Sequence, residues 1–395
     1  MSQDGSRAVV QPIVFVDDAK TFGGAQIALG WGIRSLLLHF PGVEVVCICS
    51  PLTRKAILRS TGAIEGLRFI DCPSALPLNV FAFPLRLWSF YRLLTPIMRQ
   101  GARLWWFNLA DIESCLAPLA ILGLRGMRPV GWLHNGEASL FFNARNSFPR
   151  KILCGIRDAL ANRYIFCRYR KIVSPSRSSE NSLKGRFNCS RPPRTGFLYP
   201  ISGIDSERAV GCEDASSSAS IRLWMIGRLA YGHKNNLAGL DVLRVLQEEE
   251  KGASLTVVLD SRSIEDFRNT VTGSGLADSI CLRNWEADPW ISVPSDAIVL
   301  IPSFYESFCL VAKEAMYHGI KMVVSPIPVF FEWVPNELIA CDFSAKAFAE
   351  KVKTVAAMTR DQIVALYEPV LERLTEDAFV AKFLSLLKEE SRQIV

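Results

Sequence analysis

Two glutamates, Glu306 and Glu314, stand in the stretch Ile301-Pro-Ser-Phe-Tyr-Glu-Ser-Phe-Cys-Leu-Val-Ala-Lys-Glu-Ala-Met316. Carboxylates accept hydrogen bonds from vicinal hydroxyls, so such a pair suits a polyhydroxylated ligand. The apolar run reads as a strand ending at Ile301, and a helix is expected from about Ser307. The first-turn amides of a helix have no intrahelical partner and make an anion site. Glu314 would lie roughly 12 Å further along the helix axis. One carboxylate can then reach a sugar and the other a ribose, with a phosphate between them. A second cluster lies in Ile226-Gly-Arg-Leu-Ala-Tyr-Gly-His-Lys-Asn-Asn236. Here Arg228 and Lys234 follow a strand end. Arg binds phosphate oxygens bidentately and Lys acts as a point charge, so together they can neutralise a diphosphate without a metal ion.

Three further segments carry weaker signals. Gly23-Gly24, after the first strand, allows close backbone approach to a ligand. It is not the Gly-x-Gly-x-x-Gly fingerprint of dinucleotide binding, which disfavours a nicotinamide dehydrogenase. His134 ends the strand within Gly131-Trp-Leu-His-Asn-Gly136. Ile172-Val-Ser-Pro-Ser-Arg177 and Tyr199-Pro-Ile-Ser-Gly-Ile-Asp205 read as polar turns after apolar runs.

The elements that must position these residues are visible as short apolar runs alternating with helical patterns. In the first half the strand candidates are 12–17, 43–50, 67–71, 103–107, 129–134 and 171–174. In the second they are 221–226, 254–259, 279–282, 297–301, 321–324 and 338–341. Near-continuous Val, Ile and Leu runs with helices between them indicate parallel strands covered on both faces. The fold class is therefore α/β, with two doubly wound, Rossmann-like domains. Strand carboxyl ends of the two sheets are expected to face each other across a cleft. Residues 188–219, rich in Ser, Pro, Cys and Gly, hold the linker. The expected boundaries are 1–196 and 197–375, followed by a C-terminal segment, 376–395, with an amphipathic helix near Asp377–Glu390.

In this order, the motifs resemble glycosyltransferase family 4, the retaining enzymes of the GT-B fold. Glu306 and Glu314 stand at that family's Glu-x7-Glu spacing. Gly227-Arg228 with Lys234 is similar to its phosphate-binding pair, Gly23-Gly24 to its first glycine-rich loop, and His134 to its active-site histidine. The resemblance implies that Arg228 and Lys234 hold the diphosphate, Glu314 the ribose and Glu306 the transferred sugar. The backbone amides of Ser307, Phe308, Cys309 and Leu310 would cradle sugar and phosphate. His134 would contact the sugar near the reacting carbon, and the last helix would return to the first domain. Three positions depart from the pattern. Cys309 stands where glycine is common, Ser202 replaces a frequent Asn, and Ser325-Pro-Ile-Pro-Val-Phe lacks a Gly-Gly. The implied activity is transfer of a sugar from a UDP- or GDP-sugar to a hydroxyl of a glycan or lipid-linked acceptor, with retention, in cell-surface polysaccharide assembly. No metal and no cofactor are expected; the nucleoside diphosphate sugar is a co-substrate. The rival is a catalytically silent, glycosyltransferase-like subunit that binds carbohydrate or a partner.

Bulk properties add the setting. The chain has 395 residues and 49% hydrophobic residues, enough for two cores. Residues 1–195 hold 26 Lys and Arg against 11 Asp and Glu, whereas residues 196–395 hold 19 against 28. The basic half suits an anionic surface. Residues 81–105 interleave Phe81, Phe83, Leu87, Trp88, Tyr91 and Trp105 with Arg86, Arg92, Arg99 and Arg103. Residues 149–171 do the same with Arg150, Lys151, Arg157, Arg163, Arg168, Arg170 and Lys171. Peripheral contact with the cytoplasmic membrane face through this basic domain is expected. No nucleic-acid recognition motif is present. The 11 cysteines, with no Cys-x-x-Cys pair, read as reduced, mostly buried thiols of a cytoplasmic protein. Asp17 and Asp18 interrupt any signal-like run, and Asp111 and Glu113 interrupt the longest apolar stretch, so no transmembrane helix is expected.

Overall fold

A computed structural model describes residues 12–18, 24–72, 83–109, 115–134, 161–184, 187, 190–201, 220–230, 233–249, 252–285 and 288–391. These form two compact units. One is drawn from Met1–Gly136, Ile156–Gly203 and Glu376–Val395, and the other includes Ile204–Thr375.

The first unit holds a parallel sheet of β1 (Ile13–Asp17), β2 (Val45–Cys49), β3 (Leu67–Asp71), β4 (Leu104–Leu109), β5 (Val130–Leu133), β6 (Lys171–Ser174) and β7 (Arg194–Phe197). The strand order is β3-β2-β1-β4-β5-β6-β7. The order reverses between β1 and β4, which is the topological switch point of a doubly wound sheet. Helix α1 (Gly24–His39) covers one face with the last helix, α12 (Glu376–Ser391). Phe383 of α12 packs on Trp106 at 5.0 Å and on Phe15 at 6.3 Å. Gly32 permits this approach, because a Cβ there would lie 3.2 Å from the Phe379 ring. The other face buries Phe90, Leu94 and Ile97 of α3 (Phe83–Arg99) together with α4 (Leu116–Leu124). Helix α2 (Pro51–Thr61) is started by Ser50, whose side chain accepts from the Thr53 amide, with Pro51 in the first turn. Helix α5 (Arg177–Leu183) follows β6 and is capped in the same way by Ser176.

The second unit has a five-stranded parallel sheet in the order β10-β9-β8-β11-β12. Its strands are β8 (Arg222–Ile226), β9 (Ser254–Leu259), β10 (Ile280–Asn284), β11 (Ile298–Ile301) and β12 (Lys321–Val324). The switch point lies between β8 and β11. Its helices are α6 (Ala238–Glu249), α7 (Ser261–Thr272), α8 (Leu310–Tyr317), α9 (Pro328–Trp333), α10 (Ala345–Ala356) and α11 (Arg360–Leu371). Caps at Asp260, Ser344 and Thr359 fix three of the helix starts, the last as a full capping box with Gln362.

One strand is added to the sequence reading and three of its expectations are corrected. Strand β7 has no candidate in the sequence reading, because Arg194-Thr-Gly-Phe197 is a polar, mostly half-buried edge strand rather than an apolar run. Residues 338–341 do not form a strand: Ile339 makes only an isolated parallel bridge to Val324. The helix after β11 starts at Leu310 and not near Ser307, because Cys309 turns left-handed at φ 79° immediately before it. Cys167 is disulfide-bonded, against the expectation of reduced thiols throughout. The other described cysteines are free. Cys281 and Cys341 are exposed.

Candidate functional site

In the second unit, β8 and β11 deliver the chemistry to the switch point. Gly227 follows β8 with φ 147°, a conformation open to glycine, and its amide donates to the Val258 carbonyl at 3.1 Å. The chain then turns through 228–230, and Asn236 pins that turn from below. Its Oδ1 accepts from the Ala230 amide at 2.9 Å and its Nδ2 donates to the Arg228 carbonyl at 3.4 Å. Asn235 adopts φ 51°, which an asparagine tolerates better than a branched residue. This places exposed Arg228 and partly buried Lys234 at the lip of a pocket that Gly227, Ser303, Glu306 and Cys309 also line.

Glu306 sits in the loop after β11 and is buried. Its Oε1 accepts from Lys234 Nζ at 2.6 Å and from Ser303 Oγ at 2.7 Å. Ser325, just after β12, donates to the Ser303 carbonyl at 2.5 Å and so holds that loop. Burial alone would raise the Glu306 carboxyl. The Lys234 ammonium, with His233 and the hydrogen bonds from Lys234 and Ser303, outweighs it and holds the carboxyl below the ordinary range. Burial likewise pulls the Lys234 ammonium down, but Glu306 reverses this and leaves it raised. The pair is thus fully ionic at neutral pH. Cys309 faces it, and burial followed by the Glu306 charge pushes its thiol well above the ordinary range.

Glu314 lies on α8 and is half-buried, with the Trp290 indole donating to its Oε2 at 3.0 Å. Trp290 is stacked on His318 at 5.3 Å, which fixes the indole. The Phe308 ring stacks on Trp333 at 4.8 Å inside the core, and the sequence expectation concerns its backbone amide. Ser307 and Leu310 are half-buried. Gly24 opens α1, while Gly23 lies outside the described residues. Among the described residues no group of three or more His, Cys, Asp and Glu could hold a metal ion.

In the first unit, His134 follows β5 and is buried. Its Nε2 lies 2.7 Å from Asn108 Oδ1, and its ring tilts over Trp132 at 4.7 Å. Asn108 in turn donates to Asp17 Oδ2 at 2.6 Å. The sequence reading missed Asp17 and Asn108 as site residues, together with Asn236, Ser303 and Ser325. A signal for the first two exists. Three strands end in an aromatic residue followed two positions later by a polar one: Phe15 and Asp17, Trp106 and Asn108, Trp132 and His134.

The basic surface is smaller than the sequence implies. Arg86 is fully buried and pairs with Asp18 at 2.5 Å. Lys171 pairs with Glu389 at 2.6 Å, and Arg170 and Arg194 bind Glu390, all on α12. Trp105 is buried in β4. Helix α3 exposes Leu85 (59%), Trp88 (59%) and Tyr91 (41%), with Trp88 and Tyr91 stacked at 6.2 Å, and its Arg92 and Arg99 are exposed as well. Arg150, Lys151 and Arg157 lie outside the described residues. No described helix is long and apolar enough to cross a membrane.

No protein-family model matches the sequence, and no curated protein matches it. Solved structures do. The Anabaena protein HepE in complex with UDP-glucose aligns over 96% of this chain and 99% of its own, with a TM-score of 0.69 at 15% identity. Sucrose-phosphate synthase from Thermosynechococcus elongatus aligns over 97% and 100%, with a TM-score of 0.65 at 16% identity. The apo lipopolysaccharide outer core galactosyltransferase WaaB aligns over 96% and 99%, with a TM-score of 0.60 at 15% identity. At this identity the likeness shows the fold. The chain has the GT-B fold of two doubly wound domains.

Proposed function

We propose that the protein is a retaining glycosyltransferase of family 4 that moves a sugar from a UDP- or GDP-sugar to a hydroxyl of a glycan or lipid-linked acceptor. The observation that carries this reading is the Lys234–Glu306 pair, bonded at 2.6 Å beside Arg228 at the switch point of the second domain. HepE, of the same fold, is solved with UDP-glucose, and two other similar structures are named for sugar transfer or sugar-phosphate synthesis.

In this reading the bond from the anomeric carbon to the β-phosphate oxygen breaks, and negative charge builds on the diphosphate. The Arg228 fork, the Lys234 ammonium and the amides opening α8 meet that charge in a partly water-excluded pocket, where fixed charges act most strongly. Glu306 accepts hydroxyls of the transferred sugar, and Glu314 those of the ribose. The acceptor hydroxyl attacks from the face the phosphate leaves, and its proton passes to the departing phosphate oxygen, so configuration is retained. Neither glutamate serves as a nucleophile, in contrast to the paired carboxylates of glycoside hydrolases. The diphosphate charge is assigned to side chains and amides and not to a metal ion, so transfer should persist in excess chelator.

The first domain binds the acceptor. Leu85, Trp88 and Tyr91 on α3, with Arg92, form a small amphipathic face suited to the headgroup layer of an anionic membrane, consistent with a lipid-linked acceptor. Salt-sensitive co-sedimentation with phosphatidylglycerol vesicles, lost in Trp88→Ala/Tyr91→Ala, tests this contact. For the reaction, Arg228→Ala and Glu306→Ala should each lower nucleoside diphosphate release from the productive donor severely while the protein stays folded. Near-normal transfer by both purified variants would sink the assignment.

A further inference from the structure

A chain of four buried polar side chains crosses the switch point of the first domain. Asp17 ends β1, Gln26 lies in the first turn of α1, Asn108 lies near the end of β4 and His134 follows β5. Gln26 Nε2 donates to Asp17 Oδ2 at 3.0 Å, and Asn108 Nδ2 donates to the same oxygen at 2.6 Å. Asn108 Nδ2 also approaches the Ala25 carbonyl at 3.4 Å. Both neighbours of that amide nitrogen are acceptors, so the orientation of Asn108 is settled by its surroundings. Its Oδ1 is then the atom 2.7 Å from His134 Nε2, and an amide oxygen can only accept. The hydrogen must sit on Nε2.

We propose that Asp17 and Asn108 are positioning residues that lock His134 as the neutral Nε2–H tautomer, so that the ring keeps one fixed hydrogen-bonding pattern at the switch point and is not a proton carrier. Three features support the lock. The Asp17–Asn108–His134 links join three adjacent strands whose register is set by the sheet. The ring is held against Trp132, and the His134 amide donates to the Leu109 carbonyl at 3.0 Å. Burial pushes the imidazole down to about 3, so it stays uncharged at neutral pH. Asp18, next along the chain, is occupied by Arg86 and the Cys115 amide rather than by this network. Carboxyl ends of strands at a switch point are where α/β sheets receive ligands. Only the identity of the ligand as a sugar or acceptor hydroxyl rests on the proposed transferase activity; the tautomer does not.

The chain has four histidines, so a long-range proton–nitrogen spectrum of 15N-histidine-labelled protein can resolve them. His134→Gln assigns the His134 signals. At pH 7 the wild type should show a single Nε2–H tautomer for His134. An Nδ1–H tautomer or an imidazolium overturns the lock. In Asp17→Asn, residue 17 can offer either an oxygen or an amide nitrogen, so Asn108 is free to turn over and the spectrum should show mixed tautomers. A pure Nε2–H signal in that variant overturns the role of Asp17. Should Asp17→Asn fail to fold, Asn108→Ala removes the acceptor directly and should give the same mixing. In the transfer assay Asp17→Asn should lower kcat by about 10- to 100-fold, the range seen when a reacting group is slightly misplaced, with donor KM unchanged. Should the wild type show the expected tautomer yet release nucleotide from no donor, the lock stands and the transferase reading falls.

Discussion

At the switch point of the second domain, Lys234 and Glu306 form a salt bridge that keeps both groups charged. At the corresponding point of the first domain, Asp17, Asn108 and His134 form a hydrogen-bonded chain that keeps an imidazole neutral. The backbone frames are alike. In both, the helix after the strand across the switch point opens on a cysteine in the left-handed region, Cys115 at φ 61° before α4 and Cys309 at φ 79° before α8. The contrast shows that one topology supplies a place for chemistry but not its electrostatics. Those are set by which side chains the strand ends carry. A charged pocket suits a diphosphate, and a neutral fixed ring suits a hydroxyl.

The largest effect is expected from breaking the charged pair. Lys234→Met leaves a buried carboxylate without its cation, which should cost about 3 kcal/mol or more in urea denaturation. Transfer should fall by about 10²- to 10³-fold, the usual scale for losing one group that meets transition-state charge. The double variant Lys234→Met/Glu306→Gln should regain most of the stability and none of the activity. Recovery of activity would mean that the pair is structural and the comparison with the neutral domain has no functional content.

Acid titration separates the two switch points. The Glu306 carboxyl is held below its ordinary value, so its contribution is present above pH 4.5 and is lost as pH falls through the folded value. His134 is held neutral, down from 6.5 to about 3, so its contribution is already eroding below pH 6.5, where the unfolded chain takes up a proton that the folded one refuses. Between pH 6.5 and 4.5 the wild type should lose up to about 1.4 kcal/mol per pH unit more than His134→Gln. His233 and His318 are also held down by burial and belong to both proteins, so they cancel in the difference. Parallel stability curves for the two proteins in that window would show that His134 is not held neutral.

A smaller loss is expected at the turn that carries Arg228. Asn236→Ala removes both hydrogen bonds that pin residues 228–230. Stability should fall by about 1–2 kcal/mol, and donor KM should rise with kcat less affected. The smallest effect concerns the two cysteines. Cys309→Gly relieves a left-handed backbone and should stabilise the second domain by up to about 1 kcal/mol. Cys115→Gly relieves the same strain but removes a fully buried side chain whose thiol bonds the Val16 carbonyl, so it should be neutral or destabilising. Equal shifts for the two would mean that their side chains do not differ in packing.

Much of the frame was legible because parallel strands buried on both faces announce themselves as apolar runs. Eleven of the twelve strands among the described residues coincide with such a run, and Glu306, Lys234 and Arg228 stand out as charges beside strand ends. Strand β7 was not legible, because an edge strand needs no continuous apolar face. The basic half misled in part, since Arg86, Arg170 and Lys171 are spent on internal carboxylates. A charge count cannot tell a solvated cation from one paired to a residue far along the chain: Lys171 lies 218 positions from Glu389.

By itself the sequence determined two doubly wound sheets, the strand ends on which chemistry could sit, and the charged residues Arg228, Lys234 and Glu306 beside them, though not that Lys234 and Glu306, 72 positions apart, bond to each other. Local pattern suffices there, because burial periodicity and charge type are properties of single segments. Only the tertiary structure decided that Asp17, Asn108 and His134 belong together. Asp17 and Asn108 are 91 positions apart, and they meet only because the sheet order places β4 beside β1. The state of the His134 ring follows from that neighbour and from burial, neither of which a residue carries in its own identity.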